Sequence, residues 1–406
     1  MADFDQLALE ASAVFTPGSP IDGRALFAGR REQVRQVVDA ANLKGHHALI
    51  YGERGVGKTS LANVISEFIK GQNVLAPRIN CDTADTYSSL WRKAFSQIQL
   101  TREKMGVGFL AEPIAEPVNL ADNIEGEITP NHVFRQLHAL SSSGLLIIIF
   151  DEFDRLPRET RTLLADTIKT LSDQATRVTL VLVGVADSVN ELIEEHASVE
   201  RALIQIPMPR MPRDELSQII GTGVKKLGMT VESSALNRIT ALSQGLPYYT
   251  HLLGLHASRH AIDRQSTVIQ DDDVRGAIKQ ALDKSQQSIR NAYYEATKSP
   301  RTENLFRHVL LACALAETDD YGYFTAAAVR QPLTQIMKES YDIPRFIRHL
   351  NIFSSDRGCI LQKSGVERRF RFRFSNPLMQ PYIIMNGLAE GLLTEDELSQ
   401  WTMASS

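Results

Sequence analysis

The sequence predicts a three-layer α/β domain, then an all-helical domain, then a C-terminal winged helix, and three observations carry that order. Five short apolar runs, 47–51, 74–80, 145–150, 179–183 and 203–206, alternate with helical patterns in the first half. They are continuous rather than alternating, as in strands of a parallel sheet covered on both faces. After Pro207-Met208-Pro209 only helical patterns follow, until two short strands, 359–363 and 369–374, flank Ser364-Gly365. Three helices closed by such a hairpin make a winged helix.

Taken in order, Thr129-Pro130 is an N-cap followed by proline at the first helical position, opening the helix 131–140 ahead of the strand LLIIIF. The stretch 101–128 holds six acids, two bases, three glycines and two prolines without helical period, and is expected to be an acidic insertion. The helical domain is expected at 211–298, with helices 213–227, 233–243, 248–264 and 271–297 punctuated by Gly228 and Gly245. The α/β core is expected over 1–210. The third unit, 299–390, takes helices at 303–316, 325–338 and 343–350, and 391–406 is left as a tail.

Composition excludes several classes. At 406 residues, 43% hydrophobic and 23% charged, the chain has ordinary globular character and enough length for two or three cores. A net charge of −4 argues against a wholly basic nucleic-acid coat. Cys81, Cys313 and Cys359 are far apart and match neither a disulfide framework nor a zinc spacing, which fits a reducing, cytoplasmic setting. His256 and His260 lie four apart without a third ligand, so no metal site is expected there. The longest apolar run, 145–150, is too short to span a bilayer, and the acidic start MADFDQLALEASA is unlike a secretory signal.

The chemistry is concentrated at IYGERGVGKTS, between the first strand and the helix-forming LANVI. Gly52, Gly55 and Gly57 allow a tight turn in which the backbone N–H groups of Glu53, Arg54, Val56 and Ser60 and their neighbours surround a phosphate. Lys58 reaches the outer phosphates and Thr59 offers its hydroxyl to Mg²⁺. The match to G-x-x-x-x-G-K-[ST] is complete. The strand end FDEFDRL supplies the carboxylates that hydrolysis needs: Asp151 for the Mg²⁺ shell and Glu152 to polarise the attacking water.

LFAGRREQV, GERGVGKTS, FDEFDRL and GLPYY together resemble the AAA+ ATPases, nearest to origin-recognition-type initiators and the related STAND signalling ATPases, across about residues 24–265. The resemblance implies a P-loop NTPase core with Walker A and Walker B motifs, ATP and Mg²⁺ held between core and helical lid, and ATP-dependent self-association. It places Arg201, in SVERALIQIPMP, where a neighbouring subunit offers an arginine finger. A polar sensor falls at Asp187 or Ser188, after the strand VTLVLVG. The lid lacks the sensor arginine usual in initiators and reads Gly245-Leu246-Pro247 instead, as in STAND proteins, where the proline packs beside the nucleotide. Hydrolysis is therefore expected to be slow.

From 343 to 374 there are eight Lys or Arg against two acids, a local balance of +6. In RRFRFRF, alternation puts Phe370, Phe372 and Phe374 toward the core and Arg369, Arg371 and Arg373 outward, where they could follow phosphates. Arg345 and Arg348 sit on the preceding helix, and Arg345 shares a face with His349 that a major groove could admit. Two readings remain. One is an ATPase that assembles on duplex DNA through its winged helix. The other is a STAND-type signalling or defence switch whose winged helix is an autoinhibitory or protein-binding module.

Overall fold

The computed structural model describes residues 4–18, 29–69, 74–105, 113–142, 144–185, 199–299, 305–319, 321–366 and 369–404. The chain divides into two compact units, one of residues 21–52 and 58–208, the other of residues 1–20, 53–57 and 209–406. Among the described residues no helix is long and apolar enough to cross a membrane.

Helix α1 (Phe4–Val14) belongs to the second unit; the first begins at α2 (Arg31–Asn42) and β1 (His47–Gly52). Then follow α3 (Lys58–Ile69), β2 (Val74–Leu75), β3 (Arg78–Asn80), α4 (Tyr87–Ser96), β4 (Gln99–Met105), β5 (Pro113–Asn119), α5 (Pro130–Ser141), β6 (Leu145–Asp151), α6 (Arg158–Asp173), β7 (Val178–Gly184) and β8 (Leu203–Met208). The main sheet runs β2-β6-β7-β1-β8, with β3 also on β6, and all its pairings are parallel. This is the expected α/β sheet.

Both faces of the sheet are buried by alternate residues of the same strands. Leu146, Ile148 and Phe150 of β6 join one core with Trp91, Phe95 and Leu164, and the Trp91 and Phe150 rings meet edge-on at 5.4 Å. Ile147 and Ile149, pointing the other way, are equally inaccessible. Continuous apolar strands follow from that double cover.

Two stretches of the first unit add detail to the sequence reading. The run 74–80 breaks into β2 and β3 at Pro77, which has no N–H for the ladder and contributes only its carbonyl, to the N–H of Ile149 at 2.9 Å. The stretch 101–128 is not without regular structure: β4 and β5 pair antiparallel from Gln99↔Asn119 to Met105↔Pro113, and a 3₁₀ turn follows over Leu120–Asn123. A hairpin of this kind lacks helical period by construction. The cap on α5 is as read, with Thr129 Oγ1 accepting from the His132 N–H at 3.4 Å.

The second unit holds α7 (Arg213–Lys226), β9 (Thr230–Val231), α8 (Ser233–Ser243), α9 (Pro247–Asp263), β10 (Val268–Ile269), α10 (Asp271–Asp283) and α11 (Gln287–Thr297). The long helix expected over 271–297 is thus two helices, parted at residues 284–286. Phe15, just after α1, seats its ring against the bare backbones of Gly223 and Gly254; a Cβ at Gly223 would lie 2.4 Å from its Cζ. The unit continues with α12 (Phe306–Leu315), β11 (Phe324–Thr325), α13 (Ala326–Met337), α14 (Ile343–Phe353), β12 (Leu361–Ser364), β13 (Arg371–Phe374), α15 (Met379–Ala389) and α16 (Glu395–Ala404). From α12 to β13 the order helix, strand, helix, helix, strand, strand is that of a winged helix, and β11 adds a third strand in the order β11-β13-β12. The segment read as a tail contains α16.

Candidate nucleotide site

The end of β1 and the start of α3, both in the first unit, flank the phosphate loop. Ala48, Leu49 and Ile50 are inaccessible in β1, which ends at Gly52 opposite Met208 of β8. Gly52 has no room for a side chain, since a Cβ would lie 2.3 Å from the Met208 carbonyl. Lys58 Nζ donates to the Gly52 carbonyl at 2.9 Å, so the ammonium folds back to the end of β1. Thr59 and Ser60 follow in the first turn of α3, where helical N–H groups without intrahelical partners favour an anion. Gly55 and Gly57 have φ of +89° and +96°, a region that side chains strain. The glycine turn and the first turn of α3 suit a phosphate, and Thr59 and Asp151 are the side chains that would hold Mg²⁺ beside it.

The segment FDEFDRL divides its labour residue by residue. Phe150 packs in the core and Asp151, 2% exposed, ends β6. Its Oδ2 pairs with Arg78 Nη2 at 2.7 Å, while its Oδ1 accepts from the Glu152 N–H at 2.9 Å. Arg78 also donates to Asn63 of α3 (2.5 Å) and to Asn80 (2.9 Å). Glu152 is exposed, has a left-handed φ of 57°, and pairs with Arg155 at 2.9 Å. Phe153 lies under Gly184, where a Cβ would come within 2.4 Å of its ring, and Asp154 accepts from the Val185 N–H at 3.2 Å. The end of β7 is thereby fixed by this segment.

Sequence reading missed Arg78. A lone cation in an apolar strand run was its signal, but only the pairing Asn80↔Asp151 brings it to the carboxylate. Arg201 is exposed, in a 3₁₀ turn (Glu200–Ala202) before β8. Asp187 and Ser188 lie outside the described residues.

Within the second unit, the loop residues 53–57 have partners of their own. Glu53 Oε2 accepts from Arg210 Nε at 2.8 Å, with the carboxylate side chain 8% exposed. Arg210 Nη1 also donates to the Gln244 carbonyl (3.3 Å) and to Gln380 Oε1 of α15. A Cβ at Gly55 would lie 3.2 Å from Leu378, and one at Gly57 would lie 3.9 Å from Pro247, the first residue of α9. Arg210 was not anticipated; nothing in its local sequence separates it from a surface arginine.

The C-terminal arginines lie at the surface, several of them with side-chain partners. Phe372 and Phe374 are buried, and Arg371 and Arg373 lie on the other face, as alternation requires. The strand starts at Arg371, so the expected register fails at Phe370, which is half-buried and carries Lys363 Nζ at 3.7 Å from its ring centre. Arg371 pairs with Asp319 (3.2 Å), Arg373 donates to Gln362 (2.7 Å), and both guanidiniums lie over Tyr323. Arg345, Arg348 and Arg369 are all exposed, and Arg345 pairs with Glu339 (3.0 Å). His349 does not share an open face with Arg345: its ring meets Phe306 edge-on at 4.9 Å, and burial lowers its pKa.

Residues 26–183 match the family described as the AAA ATPase domain. This stretch is an AAA ATPase domain. The full chain shares its fold with the Walker-type ATPase paby2304 of Pyrococcus abyssi, at a TM-score of 0.53 and 17% identity, over 91% of this chain and 99% of that one. It also matches the ORC2 protein of Aeropyrum pernix in its ADPNP-ADP complexes, at a TM-score of 0.50 and 16% identity, over 97% and 98% of the two chains. No curated protein matches. In the AAA domain, Gly52 ends β1, Lys58 and Thr59 open α3, and Asp151 ends β6 with Glu152 directly after it, β6 lying two strands from β1 in the same sheet.

Proposed function

We propose that the chain is an ATP-dependent molecular switch that hydrolyses ATP slowly, self-associates in its ATP state and binds duplex DNA through its winged helix. The observation that carries the reading is the presence in one AAA domain of the complete loop Gly52–Thr59 and the Asp151-Glu152 pair at the end of β6. ATP with Mg²⁺ supplies the phosphoryl group to be transferred to water. Lys58 and the loop N–H groups would hold and orient the phosphates, and Thr59 and Asp151 would hold the Mg²⁺, which offsets phosphate charge, in place of the Arg78 partner of Asp151. Glu152 accepts the proton of the attacking water once it leaves Arg155, an exposed pair worth only about 0–1 kcal/mol. Arg201, supplied by a second copy, stabilises the charge that develops on the γ-phosphate oxygens. The A. pernix ORC2 protein, which shares this fold, was solved in ADPNP-ADP complexes, which supports a nucleotide as the ligand.

The DNA reading depends on Arg345, Arg348, Arg369, Arg371 and Arg373. The pairs that tether three of these are exposed, so a phosphate can replace their partners at small cost. A second reading, the winged helix as an autoinhibitory or protein-binding module, is favoured by Arg210, which joins Glu53 of the phosphate loop to Gln380 of α15. Fluorescence anisotropy of a labelled duplex at several salt concentrations, with a slowly hydrolysed ATP analogue, separates the two. Salt-sensitive binding supports DNA as partner, and its absence leaves the autoinhibited switch as the better account.

A further inference from the structure

A cleft of about 1060 Å³ lies between α8, α10, α15 and the start of α16, all in the second unit. Its floor includes Ile278, Leu282 and Tyr382. Five basic side chains line it against three acidic ones, and one of those acids is Glu395, from the chain's own last helix. Glu395 is held by two guanidiniums at once. Arg238 Nη1 and Nη2 donate to its two oxygens at 3.0 and 2.5 Å, and Arg275 Nε and Nη2 donate to the same two oxygens, each at 3.0 Å. Asp271 also pairs with Arg238, at 2.8 Å.

Four N–H groups from two planar forks converging on one pair of oxygens suit any oxyanion, and a phosphate offers them more acceptors and more charge than a carboxylate does. If Glu395 is withdrawn, the lining is left with five bases against two acids. Arg213, Lys279 and Arg290 then remain for further phosphate oxygens, and the apolar floor with the Tyr382 ring suits an organic body. Because Glu395 is tethered, it competes at an effective concentration on the order of millimolar, which a multiply charged ligand can overcome.

We infer that this cleft is an anion site for a phosphate-bearing small molecule, and that Glu395 is its resting, displaceable occupant. Entry of the ligand expels Glu395 from the Arg238–Arg275 clamp and releases α16. The inference is independent of how the phosphate loop is used. Trp401 of α16 reports the release: the chain has two tryptophans, and the other, Trp91, is inaccessible in the core of the first unit.

The test titrates the full chain carrying Lys58→Ala, which disables the phosphate loop, with inorganic pyrophosphate and separately with ADP, following tryptophan emission. A saturable, salt-sensitive change that Trp401→Phe abolishes is expected. Adding Glu395→Gln should tighten binding by roughly tenfold or more, since a tethered competitor has been neutralised. Arg238→Ala with Arg275→Ala should abolish it. Equal binding of both probes shows that the site reads phosphates alone, and tighter ADP binding shows that the floor takes part; either outcome supports the inference. No saturable change with either probe, or Glu395→Gln binding no tighter than its parent, overturns it.

Discussion

Arg78 holds Asp151: the guanidinium of a strand that follows the phosphate-loop helix meets the carboxylate at the end of β6 at 2.7 Å, with Asp151 2% exposed and Arg78 22%. The buried acid thus has a cation as its partner. Asn63 and Asn80, by accepting from the same guanidinium, fix it in place.

Arg78→Ala leaves a buried carboxylate whose remaining partner is the Glu152 N–H, and breaking such a pair costs about 3–5 kcal/mol when fully buried. Partial exposure of Arg78 places the expected loss toward the lower end. Mg²⁺ with ATP should restore part of it, because the metal replaces the missing positive charge. Urea unfolding with and without Mg²⁺ and ATP checks this; equal losses in both conditions would separate Asp151 from the metal.

Lys58→Ala should leave the fold intact and weaken ATP binding by about 1.5–3 kcal/mol or more, a loss of roughly tenfold to over a hundredfold. Equilibrium titration with a fluorescent ATP analogue measures it. Parent-like affinity would remove Lys58 from the site.

Glu152→Gln should bind ATP normally and lose most hydrolysis, while Arg155→Ala, which removes only an exposed partner, should change stability by less than about 1 kcal/mol. Arg201→Ala should also be slow. Mixing Arg201→Ala with Glu152→Gln should restore turnover if the arginine acts across subunits, and phosphate release on mixing is the readout.

The triple variant Arg369→Ala, Arg371→Ala, Arg373→Ala should weaken binding to all duplex sequences alike. It should also flatten the salt dependence by about 0.9 in log K per log salt for each phosphate that is no longer neutralised. Thermal stability should hardly move, since Phe372 and Phe374 stay buried.

How much of this was legible depended on how local the signal was. The loop Gly52–Thr59 and the Asp151-Glu152 pair could be read directly because consecutive residues carry their chemistry. Arg78 and Arg210 could not: the first needs the β3–β6 register, the second a partner 157 residues away. The helix α1 shows its period in Leu7 and Ala11, yet the sequence does not say that Phe15 will sit on Gly223 and Gly254. Phe370 was misplaced because alternation was extended two residues before the ladder begins at Ser364↔Arg371.

Acid should destabilise the protein through its buried imidazoles. Burial pushes His47 down to about 3 and His251 and His256 down to about 4, from an ordinary value of 6.5. The native state keeps these rings neutral, so below the unfolded value the unfolded chain binds more protons. Stability is therefore full above about pH 6.5 and falls as pH drops toward the folded values. Urea midpoints across this range check the slope, and His251→Phe, beside Phe15, should reduce it.

The most direct test is the mass of the full chain in solution, measured by light scattering with ADP and with a slowly hydrolysed ATP analogue, each with and without duplex DNA. The account predicts a larger assembly with the analogue than with ADP, a further shift on adding duplex, and neither change in Lys58→Ala. One mass under all conditions, in a protein that demonstrably binds the analogue, would contradict it.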